Sequence, residues 1–285
     1  MAASTNIATT YGLRLAAPLA IFYAAFFLAP LLILFYVSLH VDPEMTRFGF
    51  TQYAKFLFDP FSLAVLGHTM WIGVEVTLLC LVLGLPLAWL YVRAPGWAQS
   101  TLMLVILLPL LTSVVVRTFS WIVILGRQGI VNTTLASLGL IDAPLKLLYT
   151  EAGMVVALAQ VQMPLMVLPL ITALSKLDPS LLDASSALGA GEWRTFRKVI
   201  LPLTLPGIVA GCLLTYAAAI TAFITQTLVG GGQMLFMPMY IYQQATTLSN
   251  WPFAAAISII FLGAVLIALS LFSLLGRLSK GYAYA

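Results

Sequence analysis

Charge is the scarcest commodity in this sequence. Asp, Glu, Lys and Arg make up 8% of 285 residues, where a water-soluble domain carries about 25%. So little charge cannot cover a water-facing surface, and a soluble globular fold is excluded. Histidine occurs twice, as His40 and His68, far apart and expected near a membrane edge. Cysteine also occurs twice, and Cys80 and Cys212 both fall in apolar runs, which argues for buried structural thiols rather than a disulfide framework. The patterns G-x-x-x-x-G-K-[ST], H-E-x-x-H and G-x-S-x-G are missing; "GRLSKGY" near the end imitates the first only superficially. The chain is therefore not expected to be an enzyme, to hold a metal or to bind a cofactor of its own. A net charge of +4 could hint at nucleic acid. Its basic residues instead sit at the ends of apolar runs, without a stripe of interleaved aromatics, and nucleic-acid binding is rejected.

What the sequence has is hydrocarbon. It is 62% hydrophobic, with a mean hydropathy of +1.06. A helix needs about 20 apolar residues to cross a bilayer, and six runs qualify: Leu15 to Leu39, Leu66 to Val92, Thr101 to Leu125, Ala152 to Leu174, Ile208 to Val229 and Phe253 to Leu275. They are continuous, without the alternation of barrel strands, so the fold class is an all-α membrane protein with six transmembrane helices. The first run is too long for a signal-peptide core and is expected to be retained as a span. No internal repeat appears, and residues 1–285 read as a single transmembrane domain.

With the N-terminus inside, the inner side collects Arg14, Arg93, Lys176, Arg194, Arg197, Lys198, Arg277 and Lys280, and the outer side Arg47, Lys55, Arg127 and Lys146. That bias favours cytoplasmic termini. Tyr91, Trp97, Trp121, Tyr149 and Trp251 fall near predicted span ends, where amphipathic rings prefer the headgroup layer. Outer loops are expected over residues 40–65, 126–151 and 230–252.

The charge the chain does have gathers between the fourth and fifth runs, in "DPSLLDASSALGAGEWRTFRKVILP", residues 178–202. Asp178 followed by Pro179 reads as a helix start. Gly189 suits a left-handed C-terminal position. A second short helix is expected from Glu192, with Trp193, Phe196 and Ile200 on one face. Pro202 and Pro206 should then bend or end it. Two short cytoplasmic helices at a glycine-set angle result, either anchored on lipid headgroups or docked on a partner.

The order of residues in this loop, about 175–205, resembles the signature loop of ABC importer permeases: Glu-Ala-Ala, three residues, Gly, nine residues, Ile, one residue, Leu-Pro. Asp183, Ala184 and Ser185 occupy the first three places, Gly189 keeps its spacing, Val199 takes the Ile place, and Leu201 and Pro202 close the pattern. The stretches "PLLTSVVVRTFSWIVILGRQGIVNTTL", "MPLMVLPLITALSKLDPSLLDAS" and "LVGGGQMLFMPMYIYQQATTLSNWPFAAAI" are similar to the spermidine/putrescine-type permeases of that family. The resemblance implies a type I importer permease in a bacterial inner membrane, carrying a polyamine, an opine, an aminophosphonate or another small solute. It implies a coupling helix docked on an ATPase, with Asp183, Ala184, Ser185, Gly189, Trp193, Phe196, Arg197, Leu201 and Pro202 at the contact. It also implies a second, homologous permease subunit, two ATP-binding subunits holding ATP and magnesium, and an extracytoplasmic solute-binding protein. A secondary transporter or channel working without ATP is the competing class, and the missing inverted repeat speaks against it.

Two charges lie inside the predicted spans, Glu75 and Arg117. Counted from the outer ends of their runs, their depths are roughly 12–14 Å, so they could meet as a structural pair. Alternatively Glu75 lines the pathway and attracts an ammonium group. Gln160, Gln162, Tyr216 and Gln226 are further pathway candidates, though polar groups at such positions more commonly bond neighbouring helices.

Overall fold

The structure, a computed structural model, describes residues 2–280, with side chains over residues 17–274. Arg14, Arg277 and Lys280, which enter the charge tally above, lie outside the described side chains. The chain is built from helices: α1 Ala2–Ser38, α2 Thr51–Phe58, α3 Pro60–Arg93, α4 Gly96–Leu111, α5 Val114–Leu125, α6 Ile130–Ser137, α7 Glu151–Leu174, α8 Pro179–Ala187, α9 Glu192–Thr195, α10 Leu201–Ile220, α11 Phe223–Gly230, α12 Met237–Tyr242 and α13 Trp251–Lys280. Two π-helical turns, Phe196–Ile200 and Gln243–Thr247, interrupt them. Among the described residues the one β-type pairing is an isolated antiparallel bridge between His40 and Phe48.

Among the described residues, six helical segments are long and apolar enough to cross a membrane: Ala17–Ser38, Pro60–Arg93, Val114–Ser137, Glu151–Leu174, Glu192–Ile220 and Trp251–Leu274. The number matches the hydropathy reading, but two boundaries do not. The expected third span, Thr101 to Leu125, is cut at Thr112–Ser113 into α4 and α5, with Thr112 extended at ψ 146°. Pro109 removes a backbone donor near the end of α4. The Pro109 carbonyl, left open where α4 stops, is satisfied by side chains: Thr112 Oγ1 donates to it at 3.2 Å, and the Arg117 guanidinium donates to the same oxygen. The expected fifth span, Ile208 to Val229, starts earlier and breaks at Thr221–Ala222 between α10 and α11.

Of the two outcomes expected at Pro202 and Pro206, a bend or an end, the helix does not end. Helix runs on from Glu192 to Ile220, so the second short helix is the root of the fifth span. The π turn explains the tolerance. Just before Pro202, the Leu201 N–H reaches the Phe196 carbonyl five residues back, and the widened turn takes up the donor that proline lacks.

Two compact units divide the chain, one comprising α1, α2 and the adjoining loops to Pro60 with residues 241–262, the other Phe61–Tyr240 with α13 from Gly263. In the first, the Ser38 and Tyr53 hydroxyls bond at 2.6 Å, Gln52 Nε2 donates to the Val41 carbonyl at 2.6 Å, and the Lys55 ammonium stands 4.3 Å from the centre of the Phe253 ring.

The second unit centres on α7, the most buried of the spans. Met154, Ala157, Leu158, Met166, Val167 and Leu170 on α7 are fully enclosed. Helix α10 lies against it at backbone distance. A Cβ added at Gly211 would stand 3.0 Å from the Met166 carbonyl oxygen, and one at Gly207 would stand 2.8 Å from that of Pro169. Small residues at four-residue spacing permit this approach, and in lipid it is the close packing, rather than hydrophobic burial, that holds the pair. On α3, Gly84 faces the side chains of Met166 and Val167, each 3.2 Å from an added Cβ.

Candidate functional site

Two groups of residues stand at opposite ends of α7. The first is an elbow following its C-terminal end. The Asp178 carboxylate accepts from the Ser180 N–H at 2.9 Å and caps α8, with Pro179 at its first position. That hydrogen bond holds the Asp178 carboxyl below the usual carboxylate range. Helix α8 ends at Leu188, and Gly189 reverses the chain at φ +73°, in the left-handed region that side chains resist. Nothing lies within 4 Å of a Cβ placed at Gly189, so backbone conformation alone asks for glycine there.

Gly191 then caps α9. The angle is locked by a 2.8 Å hydrogen bond between the buried hydroxyls of Ser185 on α8 and Thr195 on α9. The outer face of the elbow presents Leu188 and Trp193, 86% and 73% exposed. Asp183, Ala184, Arg197 and Pro202 are exposed as well. Trp193 stacks on Phe196 with centroids 5.7 Å apart, and Phe196 meets the edge of Trp89 on α3 at 6.5 Å. Leu201 is half-buried where the elbow joins α10.

The second group surrounds the N-terminal end of α7. Glu151, its first residue, lies 3.6 Å from His68 Nε2 on α3. One turn-pair further along α3, Glu75 Oε1 accepts from Trp71 Nε1 at 2.9 Å. Among the described residues no donor reaches the other Glu75 oxygen, which is buried, and Glu151 and His68 are near enough to act on its charge. The Phe236 ring stacks on His68 at 5.0 Å. Two carboxylates, an imidazole and aromatic rings thus form a half-open acidic mouth. A cation entering it meets charge and ring faces together.

Glu75 and Arg117 do not pair. Arg117 is taken by the carbonyl end of α4, donating to Pro109 and, at 3.4 Å, to Thr112 Oγ1, which is where a helix terminus draws positive charge. The equal depths read from the sequence assumed that both spans end level. Instead α3 extends back to Pro60, well past the first residue of α7, and the third span is broken.

The remaining pathway candidates are bonded to their neighbours. Gln160 accepts from Trp121 Nε1 at 3.2 Å. Gln162 donates to the Ala218 carbonyl at 3.3 Å and Gln226 to that of Ala219 at 2.9 Å, so both amides serve the open carbonyls at the break in the fifth span. The Tyr216 hydroxyl reaches Met70 Sδ at 3.2 Å. The sequence reading expected His68 near a membrane edge but did not join it, Trp71 or Glu151 to Glu75. Trp71 and His68 lie four and seven residues before Glu75, on one helical face, which is the signal that could have found them.

The family model described as "Binding-protein-dependent transport system inner membrane component" matches residues 80–280, well over half of the chain. The spermidine/putrescine transport system permease protein PotB of Salmonella typhimurium is 37% identical over 220 residues, covering 76% of each chain. The molybdenum transport system permease protein ModB of Escherichia coli is 33% identical over 232 residues, covering 79% of this chain and 97% of that one. In fold, the chain is similar to a bacterial ABC transporter involved in importing the acidic polysaccharide alginate, with a TM-score of 0.78 at 16% identity, covering 97% of this chain and 99% of that one. That transporter has also been crystallised in complex with an alginate pentasaccharide-bound periplasmic protein. A six-span bundle with a glycine-angled elbow after its fourth span, matched over this much of its length, belongs to the inner-membrane permease components of binding-protein-dependent ABC importers.

Proposed function

We propose that this chain forms one half of an import pore for a small cationic solute of polyamine type, pairing with a homologous permease subunit as a heterodimer. The elbow is the coupling helix: Asp183, Ala184, Ser185, Gly189, Trp193, Phe196, Arg197, Leu201 and Pro202 make up the surface that meets an ATP-binding subunit. ATP and magnesium bind in that partner, which carries out the hydrolysis. An extracytoplasmic solute-binding protein delivers at the acidic mouth. Both termini lie in the cytoplasm, as the lysine and arginine bias favours.

One observation carries this reading. Helix α7 begins at Glu151 in the acidic mouth and leads, past Leu174, into the elbow. Its 24 residues span roughly 36 Å, the thickness of a membrane core and part of its interface. An attractive site for cations and a surface for a cytoplasmic motor are therefore on opposite sides of one barrier. In alternating access, closure of the ATPase dimer moves the elbow, and the helices rock between inward- and outward-open arrangements. The cation class is supported by the name of the PotB relative and by Glu75, which no arginine among the described residues neutralises. Carboxylates at the mouth disfavour anionic solutes such as an aminophosphonate.

The test is ATP-dependent uptake of spermidine by the complete complex in vesicles, with Glu75→Gln compared against wild type per folded molecule. Uptake at limiting spermidine should fall about tenfold, the scale of one hydrogen-bonded charge. Normal uptake by the variant removes Glu75 from the pathway.

A further inference from the structure

Two routes lead from the elbow into the bundle. The covalent one passes through the π turn Phe196–Ile200 into α10. The other is a file of side chains crossing to α3. Trp193 stacks on Phe196 at 5.7 Å and 22°, Phe196 meets Trp89 edge-on at 6.5 Å and 82°, and the Arg93 guanidinium sits 4.1 Å from the centre of the Trp89 ring. We propose that Trp193, Phe196 and Trp89, closed by Arg93, form a strut that passes the elbow's movement to α3, the helix bearing Glu75. The strut rests on the docking reading above and adds to it the path by which the push reaches the solute side.

The mechanical argument compares the two routes. A π turn carries a surplus residue and is a place where helices shift register, so the covalent link to α10 can yield. Aromatic rings have few torsions and contact one another in offset or edge-on geometries that do not compress, and a guanidinium over a ring adds a directional tie. The Ser185–Thr195 bond makes α8 and α9 move as one piece. Trp193, 73% exposed, offers that piece a handle for a partner at the far end of the file. Trp89 and Glu75 lie on the same continuous helix, with Pro86 between them, separated along its axis by roughly 21 Å at 1.5 Å per residue. Movement gripped at Trp89 therefore shifts the Glu75 end of α3 against Glu151 on α7.

The measurement is solute taken up per ATP hydrolysed by the complete complex, with retention of the ATPase subunits recorded alongside. Trp89→Ala should keep those subunits and continue to hydrolyse ATP, with uptake per ATP falling about tenfold, the upper scale of one aromatic contact. Trp89→Phe, which restores a ring, should recover most of the loss. Adding Arg93→Ala to Trp89→Ala should cost nothing more, because one broken link already opens the file. An unchanged ratio in Trp89→Ala, or independent losses from the two alanines, overturns the strut and leaves Trp89 as a headgroup anchor. Should Trp89→Ala give no folded complex, Trp89→Leu keeps apolar volume, removes the ring, and carries the same expectation. If the ATPase subunits fail to co-purify even with the unaltered chain, the docking reading falls and takes the strut with it. If they co-purify and the ratio holds in the variant, the strut alone falls.

Discussion

Ser185 on α8 and Thr195 on α9 hold the elbow closed with a hydroxyl–hydroxyl bond of 2.8 Å, and both residues are buried. Each hydroxyl is the other's counterpart in a place water does not reach. The third position of the family's signature triplet is alanine, and serine stands there in this chain. The serine thus gives the elbow a hydroxyl pair that alanine at the same place could not form.

Removing one partner strands the other. Ser185→Ala is expected to loosen the elbow by about 1–3 kcal/mol, the desolvation cost of an unmet buried hydroxyl. The double change Ser185→Ala with Thr195→Val should lie closer to wild type than either single change, because no polar atom is left unpaired. Amide exchange over residues 179–195 reads the difference. Additive losses in the double variant would show that the two hydroxyls do not depend on each other.

Gly189 separates conformational cost from steric cost. Space around it is open, but its φ is +73°. Gly189→Ala should destabilise the elbow by about 1 kcal/mol, and Gly189→Asn by less, since asparagine tolerates the left-handed region. Co-purification of the ATPase subunits should follow the same order: glycine, asparagine, alanine. Equal retention by all three would mean that the turn does not set the docking angle.

The elbow's parts were legible in the sequence because each rests on local chemistry: Asp178–Pro179 for the start and Gly189 for the reversal. The spans were legible as apolar runs for the same reason. Their breaks were not. Thr112–Ser113 and Thr221–Ala222 sit inside stretches as apolar as the helices around them, and hydropathy does not report backbone direction. What permits the breaks is side-chain bonding that hydropathy does not register: Arg117 and Thr112 reach back to Pro109, and Gln162 comes from another helix to Ala218. Likewise Glu75 was visible as a buried charge, but its neighbours depend on how far α3 overshoots α7, which residue counting within one run cannot supply.

The seam between α7 and α10 predicts a packing limit. Gly211→Leu drives a branched side chain against the Met166 backbone, which stands 3.0 Å from the site of its first carbon. Backbone cannot rotate away as a side chain can, so the helices must separate, at a cost of about 1–3 kcal/mol or more. Thermal stability of the purified permease should drop clearly. Gly263→Leu on α13, where nothing lies within 4 Å of an added Cβ, should leave it near wild type. Equal effects at the two positions would refute the close approach.

Arg117 tests whether an intramembrane charge can be purely architectural. Its guanidinium closes the carbonyl end of α4, and Glu75 is not its partner. Arg117→Met should therefore lower folded yield, since a helix end within the bundle loses its donor, at about 1–3 kcal/mol. Uptake per folded molecule should change little. Glu75→Gln should show the opposite pattern, with yield near normal and uptake reduced. The double variant then combines both losses, each at its own readout, because the two residues share no contact. A rescue of yield or uptake in the double variant, which a true ion pair would produce when both charges are removed together, is the outcome incompatible with this assignment.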